Sequence, residues 1–262
     1  MESQKFKPGK PSGKKKLLTG DPGPLVRVTD RIWCLPGEDF TGRDRPFLYY
    51  IKGDRLSLAV DAGNSPAHVA ELYAALAAAG LPKPGLTVIT HWHWDHTFGI
   101  CAVEGLTMAT RATNEKLRQV GAWPWTEEDM EARLSAGEDI QACADCIRRE
   151  YADPETIQVV PAQMELEGPA TIDLGGVTCR IIPQDSPHSR DGIFIHIPEE
   201  KALAVGDGEG GDYYKLDGQY DPDKLSALLA FLEGLEYDLA LPGHQKPWSK
   251  EEQLAWLRGP KD

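Results

Sequence analysis

The stretch Thr90-His91-Trp92-His93-Trp94-Asp95-His96 decides how this chain is read. It sets three imidazoles and a carboxylate within six residues, directly behind the apolar run Leu86-Thr87-Val88-Ile89. A strand running into a turn delivers such side chains to one point at the strand's end. Neutral imidazole and carboxylate are the usual ligands of zinc and related first-row metals. Crowding these groups together without a metal is costly, because each buried polar group needs a partner of its own. The competing reading is a solvated polar turn with two exposed Trp, and the rest of the chain argues against it.

Only seven His occur in the chain, and three of them fall in this stretch. His188 follows the strand-like Val177-Thr178-Cys179-Arg180-Ile181-Ile182, and His244 follows Leu239-Ala240-Leu241-Pro242-Gly243. Between them, Ala202-Leu203-Ala204-Val205-Gly206 leads to Asp207. An α/β scaffold gathers a site from distant sequence in this way, with one ligand at the end of each strand. His68 and His196 lie inside a helix pattern and a strand pattern, and are read as structural.

In their order and setting these residues resemble the metallo-β-lactamase-fold hydrolase superfamily, over roughly residues 25 to 248. The His-x-His-x-Asp-His motif of that family is matched by His91, His93, Asp95 and His96, and its later single-residue motifs by His188, Asp207 and His244. The resemblance implies an α/β fold, the αββα sandwich of two mixed β-sheets flanked by helices. It also implies two metal sites: His91, His93 and His188 for the first, Asp95, His96 and His244 for the second, with Asp207 bridging. Two Zn²⁺ per chain are expected, with iron or manganese as substitutes on the same N/O ligand set. Paired cations lower the pKa of a shared water and supply hydroxide near neutral pH. Asp95 is then the expected proton shuttle, and Asp61, at the end of Leu58-Ala59-Val60, the expected acceptor that orients a ligand imidazole.

The chain departs from the family in two places. Thr97-Phe98-Gly99 stands where the family often has a Gly pair, so a bulky ring replaces close backbone packing. Asp207 stands where many zinc β-lactamases use Cys, as in the thioesterase, lactonase and phosphodiesterase branches. The expected activity is therefore hydrolysis of a small ester, lactone, thioester or related substrate. The alternatives are β-lactam hydrolysis and the mononuclear iron sulfur dioxygenases of the same fold. A degenerate, non-catalytic member is disfavoured, since all seven metal positions hold competent ligands.

With 262 residues and 41% hydrophobic content, the chain can bury one sizeable core. The domain reading is a Lys-rich tail over 1–22 and one metallo-β-lactamase-like domain over 23–262. The net charge is −13, although the first twenty residues carry six Lys against one Glu. So acidic a body disfavours nucleic acid as a partner, because phosphate binding relies on clustered Lys and Arg. No run reaches the length of a membrane span, and no secretory apolar stretch follows the basic start. Five scattered Cys suit a reducing cytoplasm better than a disulfide framework. Cys143 and Cys146 are read as two ordinary thiols on one helix face.

Strand patterns occur near 25–35, 47–52, 55–61 and 86–90, with four more between 169 and 207 and a short one at 239–241. Helix patterns occupy 65–79, 221–235 and 250–257, the first two bracketed by Pro near the start. Residues 112–153 interrupt this rhythm with helix patterns at 114–120, 127–135 and 139–151. This insertion brings Trp123 and Trp125 together and is expected to pack over or beside the metal cleft. Trp92, Trp94, Phe98, Tyr213 and Tyr214 lie near metal positions in the sequence and are candidates to line a pocket.

Overall fold

The computed structural model describes residues 25–39 and 41–259. The Lys-rich segment over 1–22 lies outside the described residues. From residue 25 the chain forms β1 (Val26–Arg27), β2 (Ile32–Leu35), β3 (Leu48–Lys52) and β4 (Ser57–Val60), each antiparallel to the one before. Helix α1 (Pro66–Ala78) crosses to β5 (Leu86–Val88), and a short helix α2 (Trp94–Thr97) follows. Then come β6 (Leu106–Thr110), α3 (Arg111–Val120), α4 (Glu127–Ala136), α5 (Gln141–Glu150) and β7 (Met164–Leu166). Strands β4 to β7 pair in parallel, completing a mixed seven-stranded sheet in chain order.

The second sheet takes β8 (Ala170–Asp173), β9 (Thr178–Pro183), β10 (Ile193–Ile197) and β11 (Ala202–Gly206) as an antiparallel meander. After α6 (Pro222–Gly234), β12 (Leu239–Pro242) joins β11 in parallel, β13 (Trp248–Ser249) closes the edge, and α7 (Lys250–Arg258) ends the described chain. Six strands thus form a second mixed sheet, in the order β13-β12-β11-β10-β9-β8.

Strand periodicity explains how the layers stack, because alternate side chains leave a strand on opposite faces. In β2, Ile32 and Cys34 enter the core shared by the two sheets, where they meet Ile181, Ile195 and Leu241. Trp33 and Leu35 of the same strand pack outward on Leu72 and Leu76 of α1. The second sheet repeats this plan: Ile193 and Ile195 face inward, while Phe194, Leu203 and Val205 pack beneath α6 and α7. Helices therefore cover both outer faces, and the fold is the αββα sandwich.

Helix starts fall where the sequence places them. The Ser65 side chain accepts from the backbone N–H of His68 ahead of Pro66, and Asp221 accepts from the N–H groups of Asp223 and Lys224 ahead of α6. Such caps contribute about 1 kcal/mol each. Differences from the sequence reading are local. The run predicted as one strand at 25–35 breaks into β1 and β2, which pair across the turn at 28–31. Strands β7 and β13 escape the sequence patterns because each is short and carries no fully buried residue. The insertion does contain three helices, α3 to α5, with α3 beginning at Arg111 behind the Thr110 cap.

Candidate metal centre

His91, His93, Asp95 and His96 follow β5 in a tight turn that α2 closes. The Thr97 hydroxyl helps to hold it, donating to the carbonyl of His93 at 2.9 Å. Phe98 turns away from the site and packs edge-on against Trp125 of the insertion, at 5.3 Å between ring centroids. Close backbone approach is supplied one residue later, by Gly99. A Cβ there would collide with the carbonyl oxygen of Ala62, and the Gly99 N–H donates to Gly63 at 3.0 Å. Gly243 has the same role beside His244, since a Cβ would collide with Asp207 and crowd His96.

Four strand ends then meet at one place, and two groups of side chains there could hold a metal ion. The first is His91, His93 and His188; the second is Asp95, His96, Asp207 and His244. All seven residues singled out from the sequence are therefore brought together. Within the first group, His188 Nε2 lies 2.9 Å from His93 Nδ1, so two nitrogens face each other across a shared space. His91 Nε2 is buried with no hydrogen-bond partner. Burial, followed by the neighbouring imidazoles, holds His91 and His93 well below the usual histidine pKa, and burial also lowers that of His188. All three rings are thus kept neutral, the form that binds a metal.

In the second group the carboxylates reverse this balance. His96 Nε2 lies 3.0 Å from Asp95 Oδ2 and 3.3 Å from Asp207 Oδ1, without the alignment of a hydrogen bond. His244 Nε2 lies 2.9 Å from Asp95 Oδ2 and 3.2 Å from Asp207 Oδ2. Burial alone would raise the carboxyl pKa values, but the histidines outweigh it and hold Asp95 and Asp207 well below the usual range. Burial alone would likewise lower His96 and His244, and the carboxylates instead push both well up. Such a group stabilises positive charge at its centre, whether carried by protons or by a cation.

The donor set fits a divalent metal on three counts. Nitrogen and carboxylate oxygen are the right chemistry for zinc and its neighbours. His91 Nε2, His96 Nε2 and Asp207 Oδ1 are buried and face inward with no hydrogen bond. The outward nitrogens of three rings are held from behind: His91 Nδ1 at 3.1 Å from Thr90 Oγ1, His96 Nδ1 at 2.8 Å from Asp61 Oδ2, and His188 Nδ1 at 2.9 Å from the Gly211 carbonyl. Asp61 also accepts from the Thr90 N–H and hydroxyl, which fixes its own orientation.

Around this centre, Tyr214 lies 5.2 Å from the His93 ring and 5.1 Å from Trp92, and Tyr213, 56% exposed, flanks His188. Trp94 and Phe98 instead join the core of the insertion, with Trp125, Met130 and Ile147. Lys116 stacks over Trp92 and Trp123, and Arg133 over Trp123 and Trp125. The insertion is thereby packed directly on the turn that bears the metal motif. Cys146 is buried in that same core, and Cys143 packs against it. Burial pushes the Cys143 thiol well up and that of Cys146 to about 11, and neither belongs to the two groups that could hold a metal ion.

His68 and His196 lie apart from the centre. His196 Nε2 pairs with the carbonyl of Glu236 at 2.9 Å. His68 is buried more fully than a surface or satisfied histidine would be: its Nδ1 has no partner, and burial with the nearby Arg45 and Arg43 lowers its pKa to about 3. Asp44 was not singled out from the sequence, yet its Oδ1 lies 3.6 Å from His244 Nδ1. No strand pattern or motif marks it, because it sits in the loop between β2 and β3.

Two facing mixed sheets with paired His/Asp groups at their strand ends define the class of protein, an αββα sandwich with a candidate metal centre. The chain belongs to the metallo-beta-lactamase superfamily, whose family model matches residues 41–244. No curated protein matches it closely enough in sequence to count as a relative. Among solved structures it is similar to a metallo-beta-lactamase from Pontibacter korlensis, at 14% identity and a TM-score of 0.58, covering 89% of this chain and 98% of that one. It is also similar to a metallo-beta-lactamase family protein from Thermus thermophilus, at 19% identity and a TM-score of 0.61, covering 87% and 78%. A third is the inverting sec-alkylsulfatase Pisa1 from a Pseudomonas species, at 17% identity and a TM-score of 0.61, covering 90% of this chain but 40% of that one. These likenesses establish the fold.

Proposed function

We propose that the chain is a zinc-dependent hydrolase acting on a small ester, lactone, thioester or related substrate. The observation that carries this reading is the position of Asp207 between the two groups. Its Oδ1 lies 3.3 Å from His96 Nε2, while its Oδ2 lies 3.2 Å from His244 Nε2 and 3.7 Å from His188 Nε2. One carboxylate reaching both groups suits a paired centre, with His91, His93 and His188 on one side and Asp95, His96 and His244 on the other. When bound, two divalent cations lower the pKa of a shared water toward neutrality and polarise the substrate oxygen that takes up charge.

The remaining chemistry belongs to the chain's own residues. Asp95 uses Oδ2 toward His96 and His244, and its Oδ1 is the atom that takes the proton from the attacking water and passes it to the leaving group. Asp61, Thr90 and the Gly211 carbonyl hold the imidazoles so that no reorientation is needed during the reaction. Trp92, Tyr213 and Tyr214 offer apolar surface at the rim for the body of a small substrate. An acidic surface favours no nucleic-acid partner. No described helix is long and apolar enough to cross a membrane. The five cysteines, all among the described residues, form no disulfide, and we take a reducing cytoplasm as the compartment.

Elemental analysis of the purified chain, followed by a screen of esters, lactones, thioesters, phosphodiesters and β-lactams, tests this reading. About two zinc per chain and hydrolysis lost on chelation and restored by zinc are expected. A single iron with oxygen uptake would move the chain to the sulfur-dioxygenase reading.

A further inference from the structure

The fourth imidazole of the centre that presents Nδ1 outward is His244, and what faces it is Asp44. Nε2 of His244 points at Asp95 and Asp207, so Nδ1 points back toward the loop between β2 and β3, where Asp44 Oδ1 lies 3.6 Å away. His91, His96 and His188 each have an oxygen behind the outward nitrogen. A cation on one imidazole nitrogen makes the opposite N–H a stronger donor, and an oxygen there fixes the tautomer and the ring.

The loop keeps Asp44 at that place through contacts on both sides of it. Asp44 adopts a left-handed backbone, φ 53°, which most side chains avoid and Asp tolerates. Its N–H donates to the Asp39 carbonyl at 3.1 Å, and Asn64 Nδ2 donates to the carbonyl of Arg43 at 2.9 Å. Arg45, beside it, forms a buried two-pronged pair with Glu150 of α5, at 3.0 and 2.7 Å. Arg149 donates to the Gly42 carbonyl at 2.8 Å, so α5 grips the loop on either side of Asp44. Finally, the Phe47 N–H donates to the Gly243 carbonyl at 2.6 Å, which ties the loop to the residue preceding His244.

We propose that Asp44 is a positioning residue for His244, accepting from its Nδ1–H when a divalent cation occupies the group of Asp95, His96, Asp207 and His244. The inserted helix α5, through Glu150 and Arg149, holds that carboxylate in register. A contraction of about half an ångström brings the pair into hydrogen-bond range. The inference rests on the paired-centre reading, and it extends the insertion's part in the site to the ligand shell.

Zinc-loaded wild type, Asp44→Ala, Asp44→Asn and Asp44→Glu are compared by competition with a chromophoric chelator. The expected result is one zinc weakened by about 10- to 100-fold in Asp44→Ala, the other unchanged, and partial recovery in Asp44→Glu. Proton NMR with ¹⁵N-labelled histidine gives a second readout: one downfield imidazole N–H signal of the zinc form is lost in Asp44→Ala. Should the alanine variant not fold, Asp44→Asn, whose amide oxygen still accepts but carries no charge, is expected to weaken the same zinc and to shift that N–H signal upfield without abolishing it. Two zinc bound with unchanged affinity and an unchanged N–H spectrum would overturn the proposal alone. A wild type that binds no second metal would overturn the paired-centre reading and this inference with it.

Discussion

Asp61 Oδ2 lies 2.8 Å from His96 Nδ1, so a carboxylate at the end of β4 orients an imidazole in the turn after β5. The contact depends on a left-handed backbone at Asp61, φ 66°, and on the two bonds that Thr90 donates to the same side chain. Asp61→Ala should weaken zinc at the second group by about 10- to 100-fold and lower turnover comparably. Chelator competition and steady-state rates measure this, and unchanged values for both would refute the orienting role.

Asp207→Ala removes the carboxylate between the two groups and leaves the Nε2 atoms of His96 and His244 facing the Asp95 carboxylate. We expect metal content to fall from two to at most one per chain, with a loss of turnover of at least about 100-fold, beyond that of an orienting residue. Metal analysis of the variant after gel filtration decides it. Full occupancy and activity would show that the bridge lies elsewhere.

Glu150 has a side chain 1% exposed and shares Arg45, itself 5% exposed, with the far more open Glu71. Glu150→Ala leaves the guanidinium buried with one exposed partner. Removing one half of a buried pair typically costs about 3–5 kcal/mol. Urea unfolding of the variant should show a loss near the lower end of that range, since Glu71 remains. A loss below about 1 kcal/mol would mean that water replaces the pair, as at a surface salt bridge.

His68 is neutral in the fold, its pKa lowered to about 3 by burial and the nearby Arg45 and Arg43. Unfolded, it takes up a proton below about 6.5. Between those values the unfolded chain binds more protons than the folded one, so stability rises with pH and is lost as pH falls from 6.5 toward 3. Replacing His68 with Gln should remove up to about 1.4 kcal/mol of this dependence per pH unit. Denaturant unfolding of both proteins at pH 7.5, 6 and 5 tests it, and parallel pH curves would exclude His68 as a contributor.

Phe98 shows how a departure from family pattern was legible only in part. Sequence reading placed a bulky ring where close packing is usual, but could not say where the ring goes. In the fold it leaves the metal turn for Trp125, and Gly99 supplies the close approach instead. Strand β7 was illegible for a different reason: its edge position, with Met164 39% exposed, leaves no alternating burial to read.

The sequence by itself determined the strand patterns and the seven candidate residues at their ends, and the sandwich followed from the family resemblance that those residues carry. Two-residue alternation sorts Ile32 and Cys34 from Trp33 and Leu35, and ligand-type side chains stand at strand ends, so both signals are local. Tertiary structure alone decided the places of Asp44 and Glu150. Their partners lie about a hundred or more residues away, as Arg45 from Glu150 and Asp44 from His244. Such pairings follow from how loops pack over the sheets, and no periodicity along the chain encodes them.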